Sequence, residues 1–243
     1  MARATKGIVI HPRVLAVGGA LALAGLAIAA VFLWMVPNAA AREEKAACRG
    51  MRGDLPLAKE LCAGGSCALP KPAPDFKALD HEGKEVRLSD FRGKVVLLNF
   101  WASWCGVCKT EKPSLSKMAA SVDRDDFVVL ALASDRDWAD VLLSLVDSRG
   151  AGGRTKQDHV VKLPEALALY KQALPNGVPF KVFLDPPDDD GNIGAIAKAW
   201  GIKAVPETAL IDRDGNIRAY FVNKRDWSSG VAQTCLRSVL EED

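Results

Sequence analysis

The 243-residue sequence predicts an α/β sandwich, on three observations. Apolar runs of strand length alternate with helix-length amphipathic segments through most of the chain. Near its end two strand-like runs, Glu207–Asp212 and Ile217–Val222, meet through Asp214-Gly215, a hairpin signal. A helical pattern over Asp226–Leu240 then closes the sequence. Hydrophobic residues make up 49%, enough for a core that does not depend on disulfides. The length leaves room for one membrane anchor and one domain of ordinary size.

The N-terminal part is different in character. Arg3, Lys6 and Arg13 form a basic flank over residues 1–13, and Val14 to Val36 then carries no charge. A helix needs about 20 apolar residues to cross a bilayer, whereas a secretory apolar region is about 7–15 long. Residues 14–36 are therefore expected to be a retained single transmembrane helix, with the basic flank cytoplasmic and everything after Val36 extracytoplasmic, that is, periplasmic. A cleaved signal peptide is the alternative, because Asn38-Ala39-Ala40-Ala41 offers small residues at a plausible cut. Both readings export the main domain. The net charge of +2 owes its sign to the basic flank, so no basic domain remains to contact nucleic acid.

Residues 37–71 read as a tether and a cysteine-containing cap, helix-friendly over Ala39–Ala47 and loop-forming at Gly64-Gly65-Ser66 and Pro70–Pro74. The main domain is expected over 72–243. Phe76–Leu79 and Glu85–Leu88, around Asp80-His81-Glu82-Gly83, form an N-terminal hairpin extension. Val95–Trp101 is a buried strand, with helix beyond the cysteines through Thr110–Val122. Phe127–Ala133 is a second buried strand, and Trp138–Val146 has helical periodicity. Gly150–Lys162 is polar and reads as a flexible insertion, followed by a helix over Pro164–Ala173 and a short strand over Phe180–Leu184. There is no internal repeat.

The chemistry is concentrated in Trp104-Cys105-Gly106-Val107-Cys108. Two cysteines at this spacing can form or break a disulfide with little backbone movement. Cys105 falls where the strand yields to a helix N-terminus, whose unpaired N–H groups and dipole stabilise a thiolate, the reactive form. The bland readings are an inert disulfide or half a zinc site, but a tetrahedral site needs further ligands, and Cys62 and Cys67 have the wrong spacing. No metal or other cofactor is expected. Disulfides persist in oxidising compartments, and the chain lacks a dinucleotide-binding glycine pattern, so a reductase there needs an external electron donor.

Four segments, in order, carry a family resemblance: Pro72-Ala73-Pro74-Asp75-Phe76; Leu88–Lys94; Asn99–Pro113; and Val205-Pro206-Glu207-Thr208 with Leu210-Ile211-Asp212. Through them the sequence resembles the thioredoxin superfamily, in its membrane-anchored extracytoplasmic branch related to TlpA, ResA and the cytochrome c maturation thioredoxins. The resemblance implies a thioredoxin-like central mixed sheet with flanking helices, and thiol:disulfide exchange on extracytoplasmic protein substrates. It implies that the protein runs as a reductase, possible settings being cytochrome c maturation or a related assembly pathway, with a membrane thiol-electron carrier as donor. Cys105 becomes the attacking thiol and Cys108 the resolving one. Pro206 becomes a cis proline facing them, and Val205 a backbone partner of the substrate. Glu111 matches an acid placed to relay a proton, and Glu207 resembles the acidic site of the cytochrome c maturation members. Trp101 and Trp104 each shield the site or pack in the core; core is favoured for Trp101, and Trp104 is the one assigned to substrate binding.

Two departures bear on the chemistry. Val107 stands where many relatives have proline, and Asn99 stands where cytoplasmic thioredoxins have a buried aspartate. Glu111 and Glu207 could each equally be solvated surface. The other four cysteines allow three full pairings. Cys62–Cys67 is the first choice, and Cys235, on a helical face with Val231, Leu236 and Val239, reads as a small buried hydrophobe. A second redox relay through these cysteines is the bolder alternative. Asp185–Gly191 fails the EF-hand pattern, because Pro186 and Ala197 occupy the ligand positions, and reads as an acidic surface loop. His11, His81 and His159 show no ligand spacing. A peroxiredoxin is disfavoured by Leu98 and Ala102, a copper-binding chaperone by the narrow cysteine spacing, and a redox-silent adaptor by the intact pair. An oxidase or isomerase differs from a reductase only in the direction of electron flow.

Overall fold

The structure, a computed structural model, describes residues 12–51, 69–122, 124–147, 161–188 and 190–242. Residues 1–11 of the basic flank, with His11, and Cys62, Cys67, His159 and most of the expected insertion lie outside them. The chain divides into two units, residues 1–43 and 44–243. Helix α1 (Pro12–Met51) begins on a proline, whose missing N–H costs nothing in a first turn. In the first unit its stretch Val17–Met35 is exposed and apolar, long enough to cross a membrane. That helix fits a single-pass anchor.

The second unit is built on one eight-stranded mixed sheet. Its strands are β1 (Lys71–Pro72), β2 (Lys77–Leu79), β3 (Glu85–Arg87), β4 (Val95–Trp101), β5 (Phe127–Ala133), β6 (Lys181–Leu184), β7 (Glu207–Ile211) and β8 (Asn216–Val222), in the spatial order β1-β8-β7-β4-β5-β6-β2-β3. β4, β5 and β6 are parallel, and β7 runs antiparallel to β4. The β2–β3 hairpin extends one edge, as the sequence predicts. Ion pairs of Lys77 and Arg87 with Glu85 mark that edge with charge, which discourages pairing with another chain.

Every β4 residue is buried, as a central strand covered on both faces requires. Val95, Leu97 and Trp101 join one apolar cluster, and Val96, Leu98 and Phe100 the other. The first cluster takes in residues of α2 (Gly106–Ser121), α3 (Trp138–Asp147) and α6 (Gly230–Leu240). The second takes in Ala197 of α5 (Ala195–Ala199) and Trp200. Helix α4 (Leu163–Ala173) packs through Ala166 onto Ala139 and Leu142 of α3.

Several expectations are corrected. Lys71–Pro72, predicted as loop, pairs with Ile217 and Asn216 as an edge strand, where a proline's missing N–H can face solvent. Asp226–Ser229 is a turn, and the last helix starts after Ser229, whose hydroxyl accepts from Ala232 N–H. Cys235 is buried, yet it is not a free small hydrophobe: it is disulfide-bonded to Cys48 in the last turns of α1. Val231, expected on the same buried face, is exposed. Asp185 is fully buried, because its carboxylate accepts the N–H groups of Ile196 and Ala197 at 2.8 and 2.9 Å and so caps α5, a helix too short to show periodicity.

Candidate functional site

β4 ends at Trp101, and a short turn through Ser103 and Trp104 leads into α2. Cys105 is the residue capping α2, and its sulfur accepts the Cys108 N–H at 3.1 Å. A helix N-terminus stabilises negative charge, so this donor and the dipole favour a thiolate at Cys105. Cys105 and Cys108 are joined as a disulfide, with Cys108 the more deeply buried of the two. Opposite them the Val205–Pro206 peptide is cis, and the Val205 carbonyl oxygen lies 3.5 Å from Cys105 Sγ. The β4–β7 ladder sets this juxtaposition, since Phe100 is paired with Glu207 and Asn99 with Thr208. A second cis bond, Leu69–Pro70, was not foreseen in the sequence.

Trp104 is half exposed, and its indole N–H donates to the Ser134 carbonyl at 3.1 Å. Val107 is also exposed, so the rim of the disulfide is partly apolar. Trp101 lies in the core, its ring beneath the Lys112 ammonium at 3.1 Å from the centroid.

Glu111 and Glu207 are both buried, which excludes the solvated-surface reading for each. Glu111 lies on the buried face of α2. One carboxylate oxygen accepts the Arg225 backbone N–H at 2.9 Å and the Trp227 indole N–H at 2.8 Å, and the other accepts the Asn99 amide at 3.3 Å. Asn99 donates also to Thr208 Oγ1 at 2.9 Å, so the amide ties β4 to β7 and to the acid. Burial pushes the Glu111 carboxyl above its ordinary range, and its three donors pull it part of the way back. Glu207 accepts the Tyr220 hydroxyl at 2.5 Å. Its carboxyl is likewise raised by burial against the pull of that hydroxyl. Tyr220 belongs to the α5-side cluster, and adjacent strand residues point to opposite faces. Glu207 therefore turns away from the face on which Thr208 meets Asn99 and Glu111.

The structure thus brings together Cys105, Cys108, Val205 and Pro206, sets Trp104 beside them and Glu111 beneath, and commits Glu207 to Tyr220. Sequence reasoning missed Arg225, Trp227 and Tyr220, which reach the acids across more than a dozen residues of chain each and carry no motif. It also missed Lys112 and Asp135, a buried lysine and a buried aspartate close to the turn that precedes Cys105.

A family model described as AhpC/TSA matches residues 69–220, more than half of the sequence. The chain belongs to the AhpC/TSA family. Within it, the chain is similar to the thiol:disulfide interchange protein DsbE of Escherichia coli K12, 30% identical over 212 residues that cover 85% of this chain and 86% of that one. It is also similar to the thiol-disulfide oxidoreductase ResA of Bacillus thuringiensis subsp. konkukian, 29% identical over 147 residues. That match covers 60% of this chain and 65% of the ResA relative's length. The fold is that of the thioredoxin domain of a thiol-disulfide oxidoreductase from Bacteroides vulgatus, at a TM-score of 0.50 and 22% identity, covering 72% of this chain and 99% of that domain. The branch read from the sequence motifs, related to TlpA, ResA and the cytochrome c maturation thioredoxins, is the one these family members represent. The two positions compared with a peroxidatic site, Leu98 and Ala102, are apolar and fully buried.

Proposed function

We propose that this AhpC/TSA family member is a thiol:disulfide oxidoreductase that reduces disulfides of extracytoplasmic proteins, with Cys105 attacking and Cys108 resolving. The observation that carries the reading is the Cys105–Cys108 disulfide at the N-terminus of α2, set against the cis Val205–Pro206 peptide. In the reduced protein, the Cys105 thiolate attacks one sulfur of a substrate disulfide, forming a mixed disulfide and releasing the other sulfur as a thiolate. Cys108 loses its proton and attacks Cys105 Sγ, which frees the second substrate sulfur and restores the Cys105–Cys108 disulfide. Two electrons pass to the substrate, whose two sulfurs leave as thiols after taking up two protons.

Glu111 is assigned to accept or return the Cys108 proton, an assignment supported by its place on the buried face of α2, three residues after Cys108, and by its raised pKa. Val205 presents backbone to the bound substrate, Pro206 keeps that surface open, and Trp104 with Val107 forms the apolar rim. Glu207, linked to Tyr220, shapes the wall behind Pro206. A membrane thiol-electron carrier returns the two electrons. The apolar stretch of α1 supports attachment to the inner membrane, and the Cys48–Cys235 disulfide supports an oxidising, periplasmic side for the domain. Cytochrome c maturation or a related assembly pathway is the setting proposed for the substrate.

The test is insulin-disulfide reduction by the full chain in detergent. Cys105→Ser should abolish turnover, and Cys108→Ser should accumulate a mixed disulfide with the substrate. Undiminished turnover by Cys105→Ser would remove the assignment.

A further inference from the structure

Lys112 has only 3% of its surface exposed, though it lies one residue beyond Glu111 in a helix with an open face. It follows Cys108 by four residues and Cys105 by seven, so the three share one stripe of α2. Seven residues of helix rise about 10 Å, which puts the lysine within a field's reach of the thiols. Its ammonium sits 3.1 Å from the Trp101 ring centroid and donates to Ser144 Oγ of α3 at 3.2 Å. Burying a cation this way is costly, and packing alone does not call for it.

An anion is bonded to the turn that leads into the same helix. Asp135, also buried, accepts the Ser103 N–H at 2.9 Å and the Ser103 hydroxyl at 2.5 Å, two residues before Cys105. The neighbouring Ser134 carbonyl holds the Trp104 indole. Burial pushes the Asp135 carboxyl up and Asp140 of α3 adds to the push, while the Ser103 bonds and the Lys112 charge pull it down. The exchange chemistry set out above assigns no task to either residue.

We propose that Lys112 and Asp135 are a buried charge couple that sets the thiolate preference of Cys105, the cation favouring the thiolate and the anion opposing it, and thereby fixes the dithiol–disulfide equilibrium of the pair. The proposal rests on Cys105 and Cys108 being the exchanging thiols. Both residues act as positioning residues through the field they maintain, without touching substrate.

The full chain in detergent is equilibrated with reduced and oxidised glutathione, in which the protein disulfide and two glutathione thiols give the protein dithiol and one glutathione disulfide. The iodoacetamide reaction of Cys105 is followed against pH in parallel. Lys112→Met keeps the length and removes the charge. It should raise the midpoint pH of alkylation and move the equilibrium about three- to tenfold toward the disulfide, a change of up to about one pKa unit. Asp135→Asn should move both readouts the opposite way, and Lys112→Arg should stay within about twofold of the parent.

Shifts of the same sign in Lys112→Met and Asp135→Asn would mean loosened packing and would overturn the couple, as would unmoved readouts. If Lys112→Met does not fold, Asp135→Asn decides alone, and a shift toward the disulfide or none overturns the proposal. Normal exchange in the parent with no shift in the variants removes only the couple. A parent that fails to exchange with glutathione disulfide removes the exchange reading as well.

Discussion

Glu111 receives three N–H donors and still has its carboxyl raised, because the loss of water outweighs them. A raised carboxyl binds its proton more tightly in the folded chain than in the unfolded one. Its favourable contribution is therefore fully present below the ordinary carboxyl range and is lost as pH rises through the folded value. Glu111→Gln should remove that slope, so its stability relative to the parent increases with pH across this window in urea titrations. The same variant should flatten the pH profile of exchange if the acid carries the Cys108 proton, and an unchanged profile would separate the acid from the chemistry. At Glu207 the expectation is simpler. Tyr220→Phe leaves a buried carboxyl without its hydroxyl donor and should cost about 1–3 kcal/mol, read from the urea midpoint. Both acids are visible in the sequence as residue types. Their burial was not, because it is created by Asn99, Trp227 and Tyr220, which lie on other elements.

Helix α5 illustrates how an element can depend on one distant side chain. It spans Ala195–Ala199, and its first N–H groups are satisfied by Asp185 at the end of β6. Gly194, which precedes it, has no room for a side chain: a Cβ there would come within 2.1 Å of Asp185 Oδ2 and 2.2 Å of the Asp185 carbonyl oxygen. Gly194→Ala should therefore destabilise the fold by about 1–3 kcal/mol, measured by thermal or urea unfolding. Burial pushes Asp185 up to about 6. Its protonated form is favoured by folding, so the parent should lose stability as pH rises from about 4 to about 6, and Asp185→Asn should lack that slope while losing about 1 kcal/mol of cap strength. Longer elements were legible in advance. Val95–Trp101 and Phe127–Ala133 read as buried strands because their apolar runs are unbroken, and the last hairpin because Asp-Gly marks its turn. A two-residue strand at Lys71–Pro72 and a five-residue helix carry too few residues for any period to emerge.

In the second unit as a whole, Cys48–Cys235 closes a loop across a sequence separation of 187 residues. Loops of that size restrict the unfolded chain strongly, so Cys48→Ala with Cys235→Ala should cost about 2–5 kcal/mol in urea titrations of the full chain while leaving the active pair able to exchange. This pairing was one of the three considered in advance, yet nothing in the spacing of Cys48 and Cys235 selects it, since only the tertiary fold brings the end of α1 to α6. The thiol pair itself was legible because strand, motif and helix are contiguous. Its facing wall was legible only through motif resemblance, being contributed by the Val205–Pro206 peptide just before β7, a hundred residues later. That separation has a consequence for synthesis. Chains emerge N-terminus first, so the cysteines become available before Val205 and Pro206 exist to stand over them. If the opposing backbone selects the substrate, as proposed, the nascent protein carries reactive sulfur before it can choose a partner, and selectivity arrives only when β7 pairs with β4. On that reading a chain halted before residue 205 should be a promiscuous thiol, and the finished one a discriminating thiol.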